Sequence, residues 1–175
     1  MTDVEKFYAD HRDGVFRYLR RIVGATETAQ DLTQEVFLRV SRAGVPEATP
    51  VGRRAWVFKI ARNLALNYLR DGQRRPATVA LVHPTVPATQ ELGVALQDAI
   101  TALPELDRDV FVLREANGLT YDEISAACDV PVESVRSRLH HARQELRAAL
   151  GQSLRLSEQR GIRCMPAGNR TRDDE

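Results

Sequence analysis

The sequence is poor in the residues that build disulfide-linked or metal-binding folds. Its 175 residues include two cysteines, Cys128 and Cys164, which lie far apart and form no CxxC pair. Such usage indicates reduced thiols in a reducing compartment rather than a disulfide framework. The adjacent His140 and His141 would point about 100° apart on a helix, so they make a poor pair of metal ligands. We expect neither a metal nor any other cofactor.

Long apolar runs are also missing. No segment approaches the ~18–20 apolar residues that cross a bilayer, and the charged start MTDVEKFYADHRD lacks the apolar stretch of a signal peptide. We therefore expect a cytoplasmic protein. The side chains show no arrangement typical of a hydrolase or metalloenzyme. We expect no enzymatic activity and no small-molecule substrate.

Charge is present but unevenly distributed. The net charge is +1, yet residues 53–75 hold 7 Lys/Arg against 1 Asp/Glu, and residues 131–150 hold 4 against 2. Residues 101–130 between them are acidic. Two basic segments indicate two patches for a polyanion, although two ordinary solvated helix faces would give the same counts.

The apolar pattern predicts an all-α fold, because no window alternates with a period of two. Helices are expected over residues 3–23, 26–42 and 53–71, with a Gly- and Pro-containing loop at 43–52. Their predicted core positions are Phe7, Val15, Leu19 and Ile22 in the first helix, Leu32, Val36, Phe37 and Val40 in the second, and Trp56, Ile60, Leu64 and Tyr68 in the third.

A second helical domain is expected after a Pro-containing linker. The expected organisation is a first domain at 1–73, a flexible linker at 74–90, a second domain at 91–150 and a disordered tail at 151–175. Within the second domain we expect one helix over about 91–102 and another from Pro104 to Gly118, with Leu106, Val110 and Leu113 facing inward.

The stretch YDEISAACDVPVESVRSRLHHARQEL predicts a helix-turn-helix. Thr120 and Glu123 form a capping box, Asp129 sits at the turn, and Pro131 marks the start of the second helix. Val135, Leu139, Ala142 and Leu146 form its inward stripe. The other face carries donors suited to base edges and phosphates: Glu133, Arg136, Ser137, His140, His141, Arg143 and Gln144. Many helical hairpins have polar faces, so this motif alone is a moderate signal for DNA binding.

Two further helix faces are candidate binding surfaces in the first domain. Asp31, Gln34 and Glu35 share one face of the second helix, which is either a protein-docking patch or a solvated acidic face. The third helix is basic and contains aromatic residues, a mixture that can follow a phosphate backbone. Its outer positions include Lys59, Arg62, Asn63, Asn67 and Arg70.

Taken in order, three segments resemble a bacterial sigma factor: DLTQEVFLRV, RAWVFKIARNLALNYLR and LPELDRDVFVLREANGLTYDEISAACDVPVESVRSRLHHARQEL. They resemble specifically the extracytoplasmic-function (group 4) sigma factors of the sigma-70 family, over about residues 3–150. The resemblance implies a sigma-2-like domain of three or four helices and a sigma-4-like helix-turn-helix domain.

The resemblance also implies partners and roles. Asp31, Gln34 and Glu35 would contact the β′ clamp helices of the RNA polymerase core, whose β flap is a further expected contact. Lys59, Arg62, Asn63, Asn67 and Arg70, with the preceding loop, would read the promoter −10 element. Glu133, Arg136, Ser137, His140, His141 and Arg143 would read the −35 element. An anti-sigma factor is the expected regulator. His140 and the loop 43–52 lie where the family varies, so the preferred promoter sequence is not implied.

Two other functions compete with this interpretation. A helix-turn-helix regulator that binds operators as a dimer would explain the second domain but leave DLTQEVFLRV and the basic third helix without a role. A protein-only module that mimics a sigma factor would tolerate loss of the basic faces.

Overall fold

The computed structural model describes the backbone of residues 3–74 and 88–162, and the side chains of residues 3–72 and 93–151. Over these ranges the regular structure is helical, which confirms the predicted all-α class. In chain order the α-helices are α1 (Asp3–Val23), α2 (Thr26–Ala43), α3 (Pro50–Arg74), α4 (Ala88–Ala102), α5 (Glu105–Phe111), α6 (Tyr121–Cys128) and α7 (Val132–Ile162). A π-helical turn, Val112–Ala116, continues α5.

Helices α1, α2 and α3 pack together as the N-terminal group. The first helix ends where Gly24 adopts a left-handed φ of 79° and donates its amide to the Arg20 carbonyl. The predicted inward positions of α1 are buried, as are Val36, Phe37 and Val40 of α2. Leu32 is partly buried against the same core. Periodicity therefore identified the inward faces of α1 and α2 correctly.

Helix α3 begins three residues earlier than its apolar pattern predicted. Pro50 stands at the first helical position, where the missing amide hydrogen costs nothing. The Thr49 hydroxyl accepts a hydrogen bond from the Gly52 amide at 3.2 Å and so caps the helix start. The predicted loop at 43–52 is therefore shorter, because its second proline starts a helix rather than preventing one.

The predicted core face of α3 was partly wrong. Tyr68 is 43% exposed, whereas Leu64 is buried and Trp56 and Ile60 are partly buried against the core, as expected. The buried positions also include Ala55, Val57, Phe58, Ala61, Ala65 and Leu66. These positions surround much of the helix, because α3 packs against α1 and α2 on one side and against α6 on another. A helix buried on two sides has no single apolar stripe to predict.

Helices α4 to α7 form the C-terminal group, which contains the predicted helix-turn-helix. The four stripe residues of α7 are buried, as are Val110 and Leu113, while Leu106 is partly buried. The capping box is confirmed: the Glu123 amide donates to Thr120 Oγ1 at 3.2 Å, and the Thr120 amide donates to Glu123 Oε2 at 2.7 Å. Asp129 adopts the left-handed turn conformation expected of it, with φ of 55°.

The end of α7 differs from the expected tail. Its backbone remains helical to Ile162, inside the segment 151–175 that we expected to be disordered. Gly151 alone costs the helix only about 1 kcal/mol, and the Leu, Arg, Glu and Gln residues after it favour helix. Most of the predicted linker, residues 75–87, and the end of the chain, residues 163–175, lie outside the described residues. None of the described helices combines the length and hydropathy needed to span a membrane.

The two helical groups pack directly against each other. Helix α3 contacts α6, helix α1 contacts the π-helical turn, and the buried apolar residues of both groups belong to one cluster. The sequence interpretation anticipated two domains and a linker but not this contact. Side chains that pack between groups distant in sequence follow no helical period, so the pattern could not reveal them.

Candidate polymerase- and nucleic-acid-binding surfaces

The predicted docking patch lies on the outer side of α2. Asp31 and Gln34 are exposed and Glu35 is partly buried, while Val36 and Val40 behind them are buried. Glu35 Oε1 accepts a hydrogen bond from Arg39 Nε at 2.8 Å, one turn along the helix. An exposed ion pair of this kind contributes little to stability, so the face is available to a partner at small energetic cost.

The predicted −10 residues of α3 divide into two sets. Asn63, Asn67 and Arg70 are exposed. Lys59 and Arg62 instead point at carboxylates of the C-terminal group: Lys59 Nζ lies 2.6 Å from Asp129 Oδ1, and Arg62 Nε lies 2.7 Å from Asp109 Oδ2. Glu105 approaches Arg62 Nη2 at 3.9 Å. Two of the three cations in this predicted set, Lys59 and Arg62, are therefore paired with carboxylates of the chain itself.

Asp109 is a buried carboxylate at the junction of the two groups. It has no solvent exposure, and the Tyr18 hydroxyl donates to its Oδ1 at 2.8 Å. Burial raises the pKa of Asp109, while the nearby Arg62 guanidinium and the Tyr18 hydrogen bond oppose that rise. Burial would lower the pKa of Arg62, but Asp109 outweighs it and the guanidinium pKa is raised. Arg62 therefore stays charged at neutral pH, and Asp109 lies against a permanent cation.

A third cation of α3 joins the same junction. The Arg54 guanidinium donates to the Asn117 carbonyl and lies 3.5 Å from Glu123 Oε2. Glu123 is buried and already serves the capping box of α6. Helix α6 is the first helix of the helix-turn-helix. Near its beginning Glu123 contacts Arg54, and just past its end Asp129 contacts Lys59.

The outer face of α7 presents the centre of the predicted −35 surface. Glu133, Arg136, Ser137 and His140 are exposed. Arg136 Nη1 donates to Glu133 Oε1 at 3.2 Å, and the Ser137 hydroxyl donates to the Ser134 carbonyl at 3.1 Å. The Arg136 guanidinium also lies 5.8 Å from the Tyr121 ring centroid, with Arg114 at 5.1 Å from the same ring. These weak, exposed contacts hold Arg136 without occupying its donors fully.

The remaining predicted −35 residues lie at the flanks of α7. His141 Nδ1 is 2.6 Å from Asp107 Oδ2, and Arg138 Nη1 donates to the other oxygen of Asp107 at 3.1 Å. On the opposite flank Arg143 donates to Glu115. The structure thus brings Arg136, Ser137 and His140 together on the open face, whereas His141 and Arg143 are drawn toward α5 and the π-helical turn.

The sequence analysis did not predict the carboxylates that pair with the basic residues of these surfaces. Asp107 and Asp109 lie in the stretch LDRDV, where the apolar neighbours Leu106 and Val110 could have suggested an inward-facing helix. Fully buried carboxylates are rare unless paired, and their partners are far away along the chain. Arg54, Arg138 and Tyr121 were missed for the same reason. Within the described residues no three His, Cys, Asp or Glu side chains are grouped as a metal site.

Both helical groups match models of known protein families. Residues 7–75 match the family model described as Sigma-70 region 2, and residues 93–146 match that described as Sigma-70, region 4. The docking patch and α3 lie in the first match, and the helix-turn-helix lies in the second. The two helical groups therefore match sigma-70 regions 2 and 4, in that order along the chain.

Named relatives define the family more closely. The chain is 35% identical over 158 residues to the ECF RNA polymerase sigma factor SigE of Mycolicibacterium smegmatis, covering 84% of this chain and 61% of that relative. It is 33% identical over 134 residues to the ECF RNA polymerase sigma-E factor of Escherichia coli strain K12, covering 66% and 70%. The chain belongs to the ECF RNA polymerase sigma factor family, which confirms the predicted resemblance.

Solved structures share the fold. The sigma factor RpoE of Bartonella quintana, solved in complex with the anti-sigma factor NepR, superposes with a TM-score of 0.66 at 18% identity over 86% of this chain and 98% of that one. CnrH, solved in complex with the cytosolic domain of CnrY, superposes with a TM-score of 0.66 at 23% identity over 85% and 88%.

Proposed function

We propose that this chain is an alternative sigma factor, which binds the RNA polymerase core and directs initiation at promoters with specific −10 and −35 elements. The observation that carries this proposal is the ordered match to regions 2 and 4, with an exposed docking face, a basic helix and a helix-turn-helix in the corresponding places. Its role is that of an initiation factor acting in the cytoplasm rather than of an enzyme.

Core binding is assigned to α2. The proposed contact residues are Asp31, Gln34 and Glu35, which meet the β′ clamp helices, and the β flap is proposed to hold the C-terminal group. What supports this assignment is the outward placement of these acidic and amide side chains on a helix whose other face is fully committed to the core.

Recognition of the −10 element is assigned to α3 and the loop before it. Asn63, Asn67 and Arg70 are accessible, and Lys59 and Arg62 extend the same basic helix. A melted strand demands both cations for phosphates and amides for bases. Flipping a base costs a few kcal/mol of unstacking, which these contacts would offset.

Recognition of the −35 element is assigned to α7. Arg136, Ser137 and His140 occupy its open face, and Glu133, His141 and Arg143 surround them. A recognition helix enters the major groove with its first turns closest to the bases, which is where Glu133 to Ser137 lie. Repression by an anti-sigma factor is proposed as well, because RpoE, a protein of this fold, was solved in complex with the anti-sigma factor NepR.

Run-off transcription with purified core enzyme on genomic fragments tests the function as a whole. Specific transcripts that need this chain support the proposal, and transcripts that do not depend on it count against it. Glu35→Lys should weaken core association, whereas Asp13→Lys, a reversal at an exposed carboxylate of α1, should not. If Glu35→Lys bound the core normally, the docking assignment would be wrong.

The −35 assignment has its own matched pair of variants. Arg136→Ala should weaken binding to a −35 duplex by about 1–3 kcal/mol if Arg136 makes a bidentate base contact. Arg147→Ala removes an exposed arginine farther along the same helix and outside the proposed set, so it should have a smaller effect. Equal effects of the two variants would argue for nonspecific charge attraction.

A further inference from the structure

The ring of Tyr121 lies beside two arginine side chains at the edge of the helix-turn-helix. Tyr121 is the first residue of α6, and it is partly buried against the core. The Arg114 guanidinium lies 5.1 Å from its ring centroid, and the Arg136 guanidinium lies 5.8 Å from the same centroid. The two arginines belong to the π-helical turn and to α7. Three elements of the C-terminal group therefore meet at this ring.

The ring and its first arginine are held in place by the backbone around them. The capping box of Thr120 and Glu123 fixes the start of α6, where Tyr121 stands. Arg114 Nη1 donates a hydrogen bond to the Leu119 carbonyl at 2.7 Å, two residues before Tyr121. The Tyr121 ring is therefore a fixed surface against which a mobile side chain can rest.

Arg136 is the mobile side chain at this surface. Its side chain is 57% exposed, and Glu133, its ion-pair partner one turn earlier on α7, is 80% exposed. An exposed ion pair at this spacing restrains an arginine weakly, because water competes for both groups. The Tyr121 ring contacts the same guanidinium from a different helix. The direction of the Arg136 side chain therefore depends on a residue outside the recognition helix.

We propose that Tyr121 is a positioning residue for −35 recognition: its ring restricts the Arg136 guanidinium and so sharpens the choice of the base pair that Arg136 contacts. This inference rests on the proposed function, since it requires Arg136 to contact a base. The contact between the ring and the guanidinium is a property of the free chain, and it can be tested without DNA.

The physical reason is that base contacts demand more of an arginine than phosphate contacts do. A bidentate contact to a guanine edge fixes both the position and the plane of the guanidinium. A side chain that is already restricted loses less conformational freedom when it binds. An exposed cation–π contact changes an equilibrium constant by about two- to fivefold. Loss of the ring should therefore lower base preference by about that factor and leave nonspecific binding unchanged.

Nuclear magnetic resonance of the free chain tests the contact itself. The ring current of Tyr121 should shift the Cδ protons of Arg136 upfield, and Tyr121→Leu should remove that shift. Tyr8→Leu is the matched control, because Arg12 lies 5.9 Å from the Tyr8 ring centroid on α1, outside the helix-turn-helix. Arg136 resonances that are equal in the parent chain and in Tyr121→Leu would overturn the proposal.

Selection by the holoenzyme tests the effect on promoter choice. Core RNA polymerase carrying the parent chain or a variant binds a pool of promoter fragments that is randomised over the −35 region, and the bound fragments are sequenced. Arg136→Ala should flatten the base preference at the position that Arg136 contacts. Tyr121→Leu should lower the preference at that same position by about two- to fivefold, with the other positions unchanged. Tyr8→Leu should leave every position unchanged.

The pattern across positions separates positioning from a merely structural role. If Tyr121→Leu only loosened α6, preference would fall at all positions together, and the proposal would be wrong. Tyr121→Phe keeps the ring and should retain the parent preference, so a loss in this variant would assign the effect to the hydroxyl instead. A preference in Tyr121→Leu equal to that of the parent chain would also overturn the proposal.

A further variant keeps the test valid if Tyr121→Leu does not fold. Tyr121→Met removes the ring but fills the partly buried site with a flexible apolar side chain, and it should give the same loss at the same position. Circular dichroism confirms that each variant is helical before the selections are compared. A parent holoenzyme that enriches no sequence would refute the proposed function, whereas the resonances of the free chain would still report the contact between Tyr121 and Arg136.

Discussion

The Tyr18 hydroxyl donates to Asp109 Oδ1 at 2.8 Å, linking α1 to α5 across 91 residues of sequence. The second oxygen of the same carboxylate accepts from Arg62 of α3 at 2.7 Å. One buried carboxylate therefore connects three helices and joins the N-terminal group to the C-terminal group. Its charge is tolerated because both oxygens have donors and one donor is a permanent cation.

Removing the tyrosine hydroxyl should weaken this junction. Tyr18→Phe keeps the buried ring but leaves Asp109 with Arg62 alone. A hydrogen bond to a charged group contributes about 1.5–3 kcal/mol, so we expect a loss of that order in the free energy of unfolding. Urea denaturation followed by circular dichroism measures the loss.

Tyr68→Phe provides the matched control for that measurement. Tyr68 is 43% exposed, and its hydroxyl lies 3.4 Å from Thr28 Oγ1 in a weak, exposed contact. Its removal should change the free energy of unfolding by no more than about 0.5 kcal/mol. Equal losses in the two variants would show that the Tyr18–Asp109 hydrogen bond contributes no more to the free energy of unfolding than the exposed Tyr68 contact does.

Cys128 should be nearly inert to alkylation in the folded chain. Burial, with Asp109 acting in the same direction, raises the pKa of the Cys128 thiol from 9.0 to about 12. Three pH units reduce the thiolate, which is the reactive form, by about a thousandfold near neutral pH. Iodoacetamide labelling of the Cys128 peptide should therefore be slow in buffer and fast in denaturant. Rapid labelling in buffer would contradict the burial.

The same shift predicts a loss of stability at alkaline pH. The folded chain holds the Cys128 proton more tightly than the unfolded chain, so stability falls as pH rises from about 9 toward 12. Burial also raises the pKa of Tyr18, which acts in the same direction at high pH. Cys128→Ala should reduce the slope of the urea midpoint against pH relative to the parent chain. An unchanged slope would mean that Cys128 ionises alike in both states.

His11 should destabilise the fold under mildly acidic conditions. Burial lowers its pKa below 6.5; Asp10 and Glu123 oppose this, and Arg54 adds to it. Because the unfolded chain takes up the proton first, stability falls as pH drops below about 6.5 toward the folded-state pKa. The urea midpoint should therefore fall between about pH 7.5 and pH 5.5, and less so in His11→Gln.

The His11 experiment also reports on the junction between the two groups. Arg54 and Glu123, two of the charges that act on His11, belong to opposite sides of that junction. Asp109 cannot cause this loss, because its raised pKa makes stability fall with rising pH above the unfolded value of 3.8, the opposite sign, and the parent chain and His11→Gln both retain Asp109. If the parent chain and His11→Gln lost stability equally, another group would be responsible.

The accuracy of the sequence interpretation depended on how each helix is buried. In α7 the stripe Val135, Leu139 and Leu146 faces one core, so its period of 3.6 residues located the inward face correctly. In α3 the same reasoning placed Tyr68 inside, because the helix is covered on two sides and lacks a single stripe. The apolar pattern within one helix predicted which side chains are buried, whereas contacts between helices could not be predicted from it.

For the candidate surfaces too, exposure could be predicted from the sequence but contacts between helices could not. Exposure of Asp31 and Arg136 followed from their position opposite an apolar stripe. Pairing of Arg62 with Asp109, and of Lys59 with Asp129, joins residues 47 and 70 positions apart. Nothing in local spacing distinguishes a cation that is free for DNA from one paired to a distant carboxylate. These two pairings between the helical groups could therefore be identified only from the structure.

Asp107 should act as a positioning residue for the −35 surface. It is buried between Arg138 and His141, and its carboxylate holds His141 Nδ1 at 2.6 Å. Asp107→Asn weakens both contacts, so His141 should become mobile, and affinity for a −35 duplex should fall several-fold, less than in Arg136→Ala. Glu145→Gln removes the same charge near His141 Nε2 but leaves Asp107 in place, and it should alter affinity less. Fluorescence anisotropy on the same duplex compares the variants. If Asp107→Asn matched Glu145→Gln, charge alone would explain both, and Asp107 would have no positioning role.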